Sequence, residues 1–178
     1  RLPFPDAYKI GDVYSMIVFG LDIEEFEYAY QIDGPNEPEN GLTFNRNAVL
    51  LDPYARSVAG QRLWGSKKSG SYHARVIRDI FDWGAMPQST RTMSDLVIYE
   101  LHVRGFTYHP SSGVTHRGTF AGLMEKIPYL KELGINAVEL MPIFDFDETM
   151  KVRTVDGEKL LDYWGYNTVG FLAPNTSY

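Results

Sequence analysis

With 178 residues, 44% hydrophobic and 14% aromatic, the chain carries enough apolar material for one or two packed cores, which excludes a disordered segment. Its 23 acidic and 17 basic residues leave a formal charge of -6 with no block of like charge, which speaks against a nucleic-acid or anionic-membrane surface and for a neutral or polar ligand. The absence of cysteine removes disulfide scaffolds, thiolate metal sites and thiol nucleophiles, and leans the location toward the cytoplasm.

No apolar run approaches the roughly 20 residues that span a bilayer. The opening RLPFPDAYKI lacks the order of a signal peptide, and because Arg1 rather than Met stands first, the sequence is silent on a leader. The next stretches, YSMIVFGL and FEYAYQID, are short, aromatic and β-branched and end at breakers, which predicts antiparallel strands. Between them and the following segment, DGPNEPENGLTFN has the turn chemistry of a long hairpin loop. From LLDPYARSVAG to DWGAMPQSTRTMSD the periodicity fades, predicting a connector over the surface with one short strand, SYHARVI, and a boundary near Met93.

After Ser94 the pattern changes class. DLVIYELHV predicts a strand buried on both faces and is followed by a polar loop. TFAGLMEKIPYLKELG then sets Phe120, Leu123, Met124, Ile127, Leu130 and Leu133 on one helical stripe, capped by Thr119 and ended by Gly134. Pro128 predicts a kink or two helices meeting at Ile127. INAVELMPI completes a βαβ unit with parallel strands. Such a unit cannot bury its own strands, and residues 94–178 hold only two barrel strands where a whole eight-stranded barrel needs about 250 residues, so more strands are expected from elsewhere.

In parallel α/β folds chemistry gathers where strands end. Asp145, Asp147 and Glu148 in FDFDE lie just past such an end, but they lack the fixed separation and desolvation of catalytic carboxylates, and a solvated loop is expected. His109 and His116 read as ordinary loop histidines, and His102, on the strand, as a hydrogen-bonded core histidine. GSKKSGSY lacks the Lys and Ser/Thr that must come after the second glycine of a phosphate loop and reads as a basic turn. The NTS at Asn175 matches a glycosylation acceptor, a frequent accident. DYWGYNTVGFLAP differs: Tyr163, Trp164 and Tyr166 could stack on the apolar face of a sugar, with Gly165 freeing the turn, or could equally plug the core under a long loop.

The ordered set VIYELHVRGFT, GTFAGLMEKIPYLKELGINAVELMPIFDFDE and DYWGYNTVGFLAPNTSY resembles the α-amylase superfamily, most closely its isoamylase-type, glycogen-debranching members. The upstream YAYQIDGP and GLTFNRNAVLLDPYARSVAG resemble the end of the β-sandwich that precedes the barrel in those enzymes. The resemblance implies a mixed fold: the C-terminal part of a β-sandwich, residues 1–93 with the connector, followed from 94 to 178 by the first β/α units of a (β/α)8 barrel. It implies a retaining glycoside hydrolase that cuts α-1,6 branch linkages in glycogen or amylopectin. Tyr166 matches the family tyrosine that stacks on the sugar beside the scissile bond, with Trp164 and Asn167 weaker candidates for the same groove.

The family's catalytic carboxylates lie on later strands, so none is assigned here and the chain alone is expected to be inactive. No cofactor is implied, with a structural calcium in the full-length protein left open. The implied partner is an α-glucan, and open barrel edges make self-association an added expectation. The alternatives are a pullulanase or branching enzyme, or a non-catalytic glucan-binding module using Trp64 and Trp83.

Overall fold

The computed structural model describes every residue except 61, 62, 68–71, 79, 87, 88 and 151. The N-terminal portion holds three small antiparallel pairings: β1 (Lys9–Ile10) with β2 (Val13–Tyr14), β3 (Glu27–Tyr28) with the later β6 (Ala74–Arg75), and β4 (Asn36–Glu37) with β5 (Leu42–Thr43). The strands expected from YSMIVFGL and FEYAYQID are therefore shortened to their ends. Ile17 and Phe19 stay 79% and 86% exposed, because a strand forms only where a neighbour accepts its backbone groups. The DGPNEPENGLTFN turn chemistry works locally: a single 3-10 turn, Pro38–Asn40, closes on Gly41 at φ 75° and joins β4 to β5.

The connector is the larger departure from expectation. Its first part does not lie over the surface: Ala55, Val58 and Ala74 are all but fully buried, whereas Ile80, Phe81, Trp83, Met86 and Met93 further on are exposed as expected. Val58 bridges Ala74, its side chain sits against the bare Cα of Gly170, and Gly60 leaves room for Thr176. The predicted SYHARVI strand is confined to β6, with Ser71 outside the described residues.

The βαβ unit forms. β7 (Ile98–Leu101) pairs in parallel with β8 (Ala137–Leu140), Ile98 opposite Ala137 and Leu101 opposite Leu140. The segment after β7 is not all loop: α1 (Val103–Tyr108) starts at once, and hides Val103 and Thr107. The crossover then runs through α2 (Phe120–Glu125) and α3 (Ile127–Glu132), meeting at Lys126 as Pro128 requires. The Thr119 hydroxyl accepts the Gly122 N–H, and Gly134, at φ 87°, ends α3. Of the helical stripe only Leu130 is buried; Met124, Ile127 and Leu133 are exposed. Val97, Ile98 and Val138 are likewise about half exposed, against the expectation of strands buried on both faces, because two strands and three short helices leave their far sides uncovered.

Beyond β8 come β9 (Phe144–Phe146), the hairpin β10 (Arg153–Val155) and β11 (Glu158–Leu160), and β12 (Thr168–Pro174), which returns antiparallel to β9. Asp156 and Gly157, both at positive φ, make the two-residue turn of that hairpin. The core sits where these pieces meet the connector: Val103, Phe146 and Tyr178, with Trp64, Phe120, Leu123 and Ile143 packed around them.

Candidate functional site

The aromatic stretch after β11 is neither simply core nor simply surface. Asp162 ties its start, donating its backbone N–H to the Glu148 carbonyl at 2.9 Å, and Thr168 ties its end by pairing with Phe146. Between them Tyr163 lies flat on the His102 imidazole, ring centres 4.4 Å apart and planes 14° from parallel. Trp164 turns an edge toward both His102 and Tyr163 and is 54% exposed. Gly165 is buried at φ 79°, and a Cβ there would stand 2.9 Å from the Phe146 ring, so only glycine makes this turn. The turn throws Tyr166 outward: it is 70% exposed and has no hydrogen bond or ring contact with any described residue. Asn167 is half-buried and its Nδ2 donates to the Met150 sulfur at 3.1 Å.

The structure thus leaves Trp164 and Tyr166 exposed on either side of the Gly165 turn and Asn167 half-buried. Trp64 is no docking ring: it stacks on Tyr178 with planes 8° apart, meets Phe146 edge-on and carries the Arg104 guanidinium 4.5 Å above its face. Trp83 remains open, 70% exposed with an edge contact to Phe81.

The acidic FDFDE segment overturns its expectation. Asp145, Asp147 and Glu148 are fully buried rather than solvated. Lys67, itself buried, places Nζ 2.7 Å from both Asp145 carboxylate oxygens and 2.8 Å from the Phe146 carbonyl. Burial still pushes the Asp145 carboxyl above its ordinary range, with the Lys67 bond and charge working against it. At Asp147 burial pulls upward too, but hydrogen bonds from the Thr149 side chain, the Tyr72 hydroxyl and the Thr149 backbone, with the Lys67 charge, outweigh it and hold the carboxyl low. The Tyr72 hydroxyl donates at 2.5 Å. Glu148 accepts the Gly65 N–H at 2.7 Å, leaving Oε2 without a partner among the described residues. These carboxylates bind the connector to the segment after β8. Residues 68–71 of the expected basic turn lie outside the described residues, and Lys67 is committed to this ion pair.

The remaining candidates are structural. His109 Nδ1 accepts the Ser111 N–H, and His116 Nδ1 lies 3.0 Å from Glu125. No group of metal-ligating side chains occurs among the described residues. Asn175 is 2% exposed and its Oδ1 accepts from the Ser177 N–H and hydroxyl, so the acceptor asparagine of the NTS triplet is folded away from solvent. No described helix is long and apolar enough to cross a membrane.

Residues 71–170, from within the connector just before β6 to the first residues of β12, match the family model described as alpha amylase, catalytic domain. The chain belongs to the alpha-amylase family. Within it, the chain is 41% identical to isoamylase 3, chloroplastic, of Oryza sativa subsp. japonica, a match covering 96% of this chain and 23% of that protein. It is 35% identical to a glycogen debranching enzyme of Serratia proteamaculans (strain 568), covering all of this chain and 28% of that one. The chain thus spans about a quarter of the length of the curated relatives it matches. Its fold matches the pullulanase from Anoxybacillus sp. LM18-11 solved with maltotriose, with a TM-score of 0.55 and 32% identity over 74% of this chain and 19% of that one. A pullulanase type I from Bacillus subtilis str. 168, solved with maltose, gives the same TM-score at 33% identity over 76% of this chain and 19% of that one. Parallel α/β barrels carry their chemistry at the strand C-termini, and the buried acidic segment and the Tyr166 segment both lie in the chain that follows the C-terminal end of the parallel strand β8.

Proposed function

We propose that this chain forms one wall of the sugar-binding cleft of a debranching glycoside hydrolase that cuts α-1,6 branch linkages in glycogen, amylopectin or related glucans. The observation that carries it is Tyr166, an unpartnered, 70% exposed ring thrown outward by the buried Gly165 turn. An aromatic face held open in this way matches the C–H face of a glucose ring, and Trp164, two residues before it, is also exposed. The relatives named isoamylase and glycogen debranching enzyme set the reaction class, and the maltotriose and maltose of the pullulanase structures set the ligand class.

In this reading residues 94–178 open the catalytic barrel, and residues 1–93 are the end of a β-sandwich with its connector, for which the small antiparallel pairs are the support. Hydrolysis proceeds with retention: one carboxylate attacks the anomeric carbon while an acid about 5 Å away protonates the departing oxygen, and water then releases the glycosyl ester. Asp145, Asp147 and Glu148 take no part, since each is spent on Lys67, Tyr72 or Gly65. A cytoplasmic location belongs to the same reading on the strength of the cysteine-free sequence; the plant relatives carry chloroplastic names, and cell fractionation decides.

The test is Tyr166→Ala in the full-length protein, assayed on glycogen, pullulan and linear amylose. Loss of the platform lowers kcat/KM on the branched substrate by about tenfold or more, equivalent to about 1.4 kcal/mol of transition-state binding, with the melting temperature unchanged. Undiminished activity would refute the assignment. A second reading, glucan docking without hydrolysis, is favoured only by the open Phe81–Trp83 pair and predicts that Trp83→Ala abolishes retardation in glycogen gels while Tyr166→Ala does not.

A further inference from the structure

His102 is a buried group with more connections than its place at the end of β7 requires. Its Nδ1 accepts the Gly105 N–H at 3.0 Å, capping α1. Its Nε2 lies 2.8 Å from the Tyr163 carbonyl oxygen and 3.1 Å from the Tyr178 hydroxyl. A carbonyl can only accept and an amide N–H can only donate, so the partners leave one tautomer: neutral imidazole with its proton on Nε2. Burial, with Arg104 nearby, lowers the His102 pKa and favours that neutral form, although the bond to Tyr163 pulls the other way.

The bond to Tyr163 reaches across 61 residues to the segment that carries Tyr166. Gripping the Tyr163 carbonyl fixes the plane of the Tyr163–Trp164 peptide, since the peptide unit is rigid and only φ and ψ beside it turn. The Tyr163 ring is held as well, flat on the imidazole and with its hydroxyl pressed over Gly105, where any side chain would collide with it. The chain therefore enters the Gly165 turn on one heading, and Tyr166 leaves it on one heading.

We propose that His102 is a positioning residue for glucan binding: through its Nε2–H bond and ring stack on Tyr163 it sets the orientation of the Tyr166 platform. The inference rests on Tyr166 being that platform. It adds to helix capping a second role, carried by the other ring nitrogen, and the two nitrogens can be separated by substitution. Asn places an acceptor near Nδ1 and keeps the cap but has no donor reaching Tyr163; Gln places a donor near Nε2 and keeps that bond but loses the cap.

The experiment compares His102→Asn, His102→Gln and Tyr166→Ala, and His102→Asn combined with Tyr166→Ala, in the full-length protein, by kcat and KM on a branched glucan and by melting temperature. His102→Asn is expected to melt below the parent, since the Tyr163 carbonyl loses its donor, and to lose about tenfold or more in kcat/KM, within the range that a misplacement of about 1 Å produces. His102→Gln also melts lower but keeps kcat/KM within about threefold of the parent, a small orientation loss on the same scale. In the Tyr166→Ala background, His102→Asn adds less than about twofold, because residues acting through one another are not additive. Equal losses for Asn and Gln, or a full additional loss on top of Tyr166→Ala, overturn the proposal while leaving the platform standing. A silent Tyr166→Ala removes the platform itself, and the proposal with it.

Discussion

Replacing Lys67 with Met tests whether the acidic segment after β8 is held by a buried cation. The Lys67 side chain is 4% exposed and that of Asp145 is not exposed at all, so deletion of the ammonium leaves a carboxylate with neither water nor counter-charge. At 2.7 Å and an effective dielectric near 20 the pair attracts by about 6 kcal/mol, most of which desolvation of both groups cancels in the parent. Removing one partner forfeits the attraction and keeps the burial of the other, which costs about 3–5 kcal/mol. In the double variant Lys67→Met, Asp145→Leu no charge is stranded, and the remaining loss is the unpaired Phe146 carbonyl, about 1–3 kcal/mol. Urea denaturation followed by tryptophan fluorescence reads the difference, since Trp64 stacks on Tyr178 in the adjoining core. A single variant that loses less than about 1 kcal/mol, or a double variant no more stable than the single one, refutes the reasoning. The single variant also carries a pH signature. Without Lys67 the buried carboxyl titrates higher in the folded state than in the unfolded, so the penalty shrinks as pH falls from neutral toward the carboxylate range.

The packing sets two further outcomes. A Cβ on Gly122 runs into the His116 backbone carbonyl, which cannot swing aside, so Gly122→Ala costs about 1–3 kcal/mol, and melting falls by about 2–4 °C per kcal/mol at this length. A melting temperature equal to the parent's contradicts that contact. Asp147 is held low in the folded state, so its contribution is complete above its unfolded pKa and is lost as pH falls through the folded value. Asp147→Asn therefore lowers stability at pH 7 and flattens the decline below the ordinary carboxylate range, and parallel acid limbs for parent and variant count against it.

Legibility of the fold in the sequence depends on how far apart the interacting residues lie. The elements of the βαβ unit, the helix break at Lys126, the Thr119 cap and the Gly134 stop are all readable, because each is signalled by a pattern of residues close in sequence, even though β7 and β8 then pair across 39 residues. The β10–β11 hairpin carries a local Asp156–Gly157 signal too, embedded in a long stretch that otherwise reads as loop. Helix α1 escapes a sequence reading because Gly105 interrupts it and no apolar periodicity marks it; its cap is the side chain of the strand-end His102. The solvated reading of FDFDE fails for the opposite reason. Lys67, Tyr72 and Gly65, which bury Asp145, Asp147 and Glu148, stand 78, 75 and 83 residues away, in a connector with no periodicity to show that it is core.

The aromatic stretch divides along the same line. The sequence by itself determined the membership of the alpha-amylase family, the parallel strand pair and the presence of three rings around a glycine, since ordered motifs and local propensities reside in the order of residues. Only the tertiary structure decided which ring faces out. Tyr163 is claimed by His102, Trp164 is shared between packing and solvent, and Tyr166 is released by a Gly165 turn that Phe146 leaves room for only in the absence of a side chain. Exposure is a property of what the rest of the chain leaves uncovered, and no local pattern encodes it.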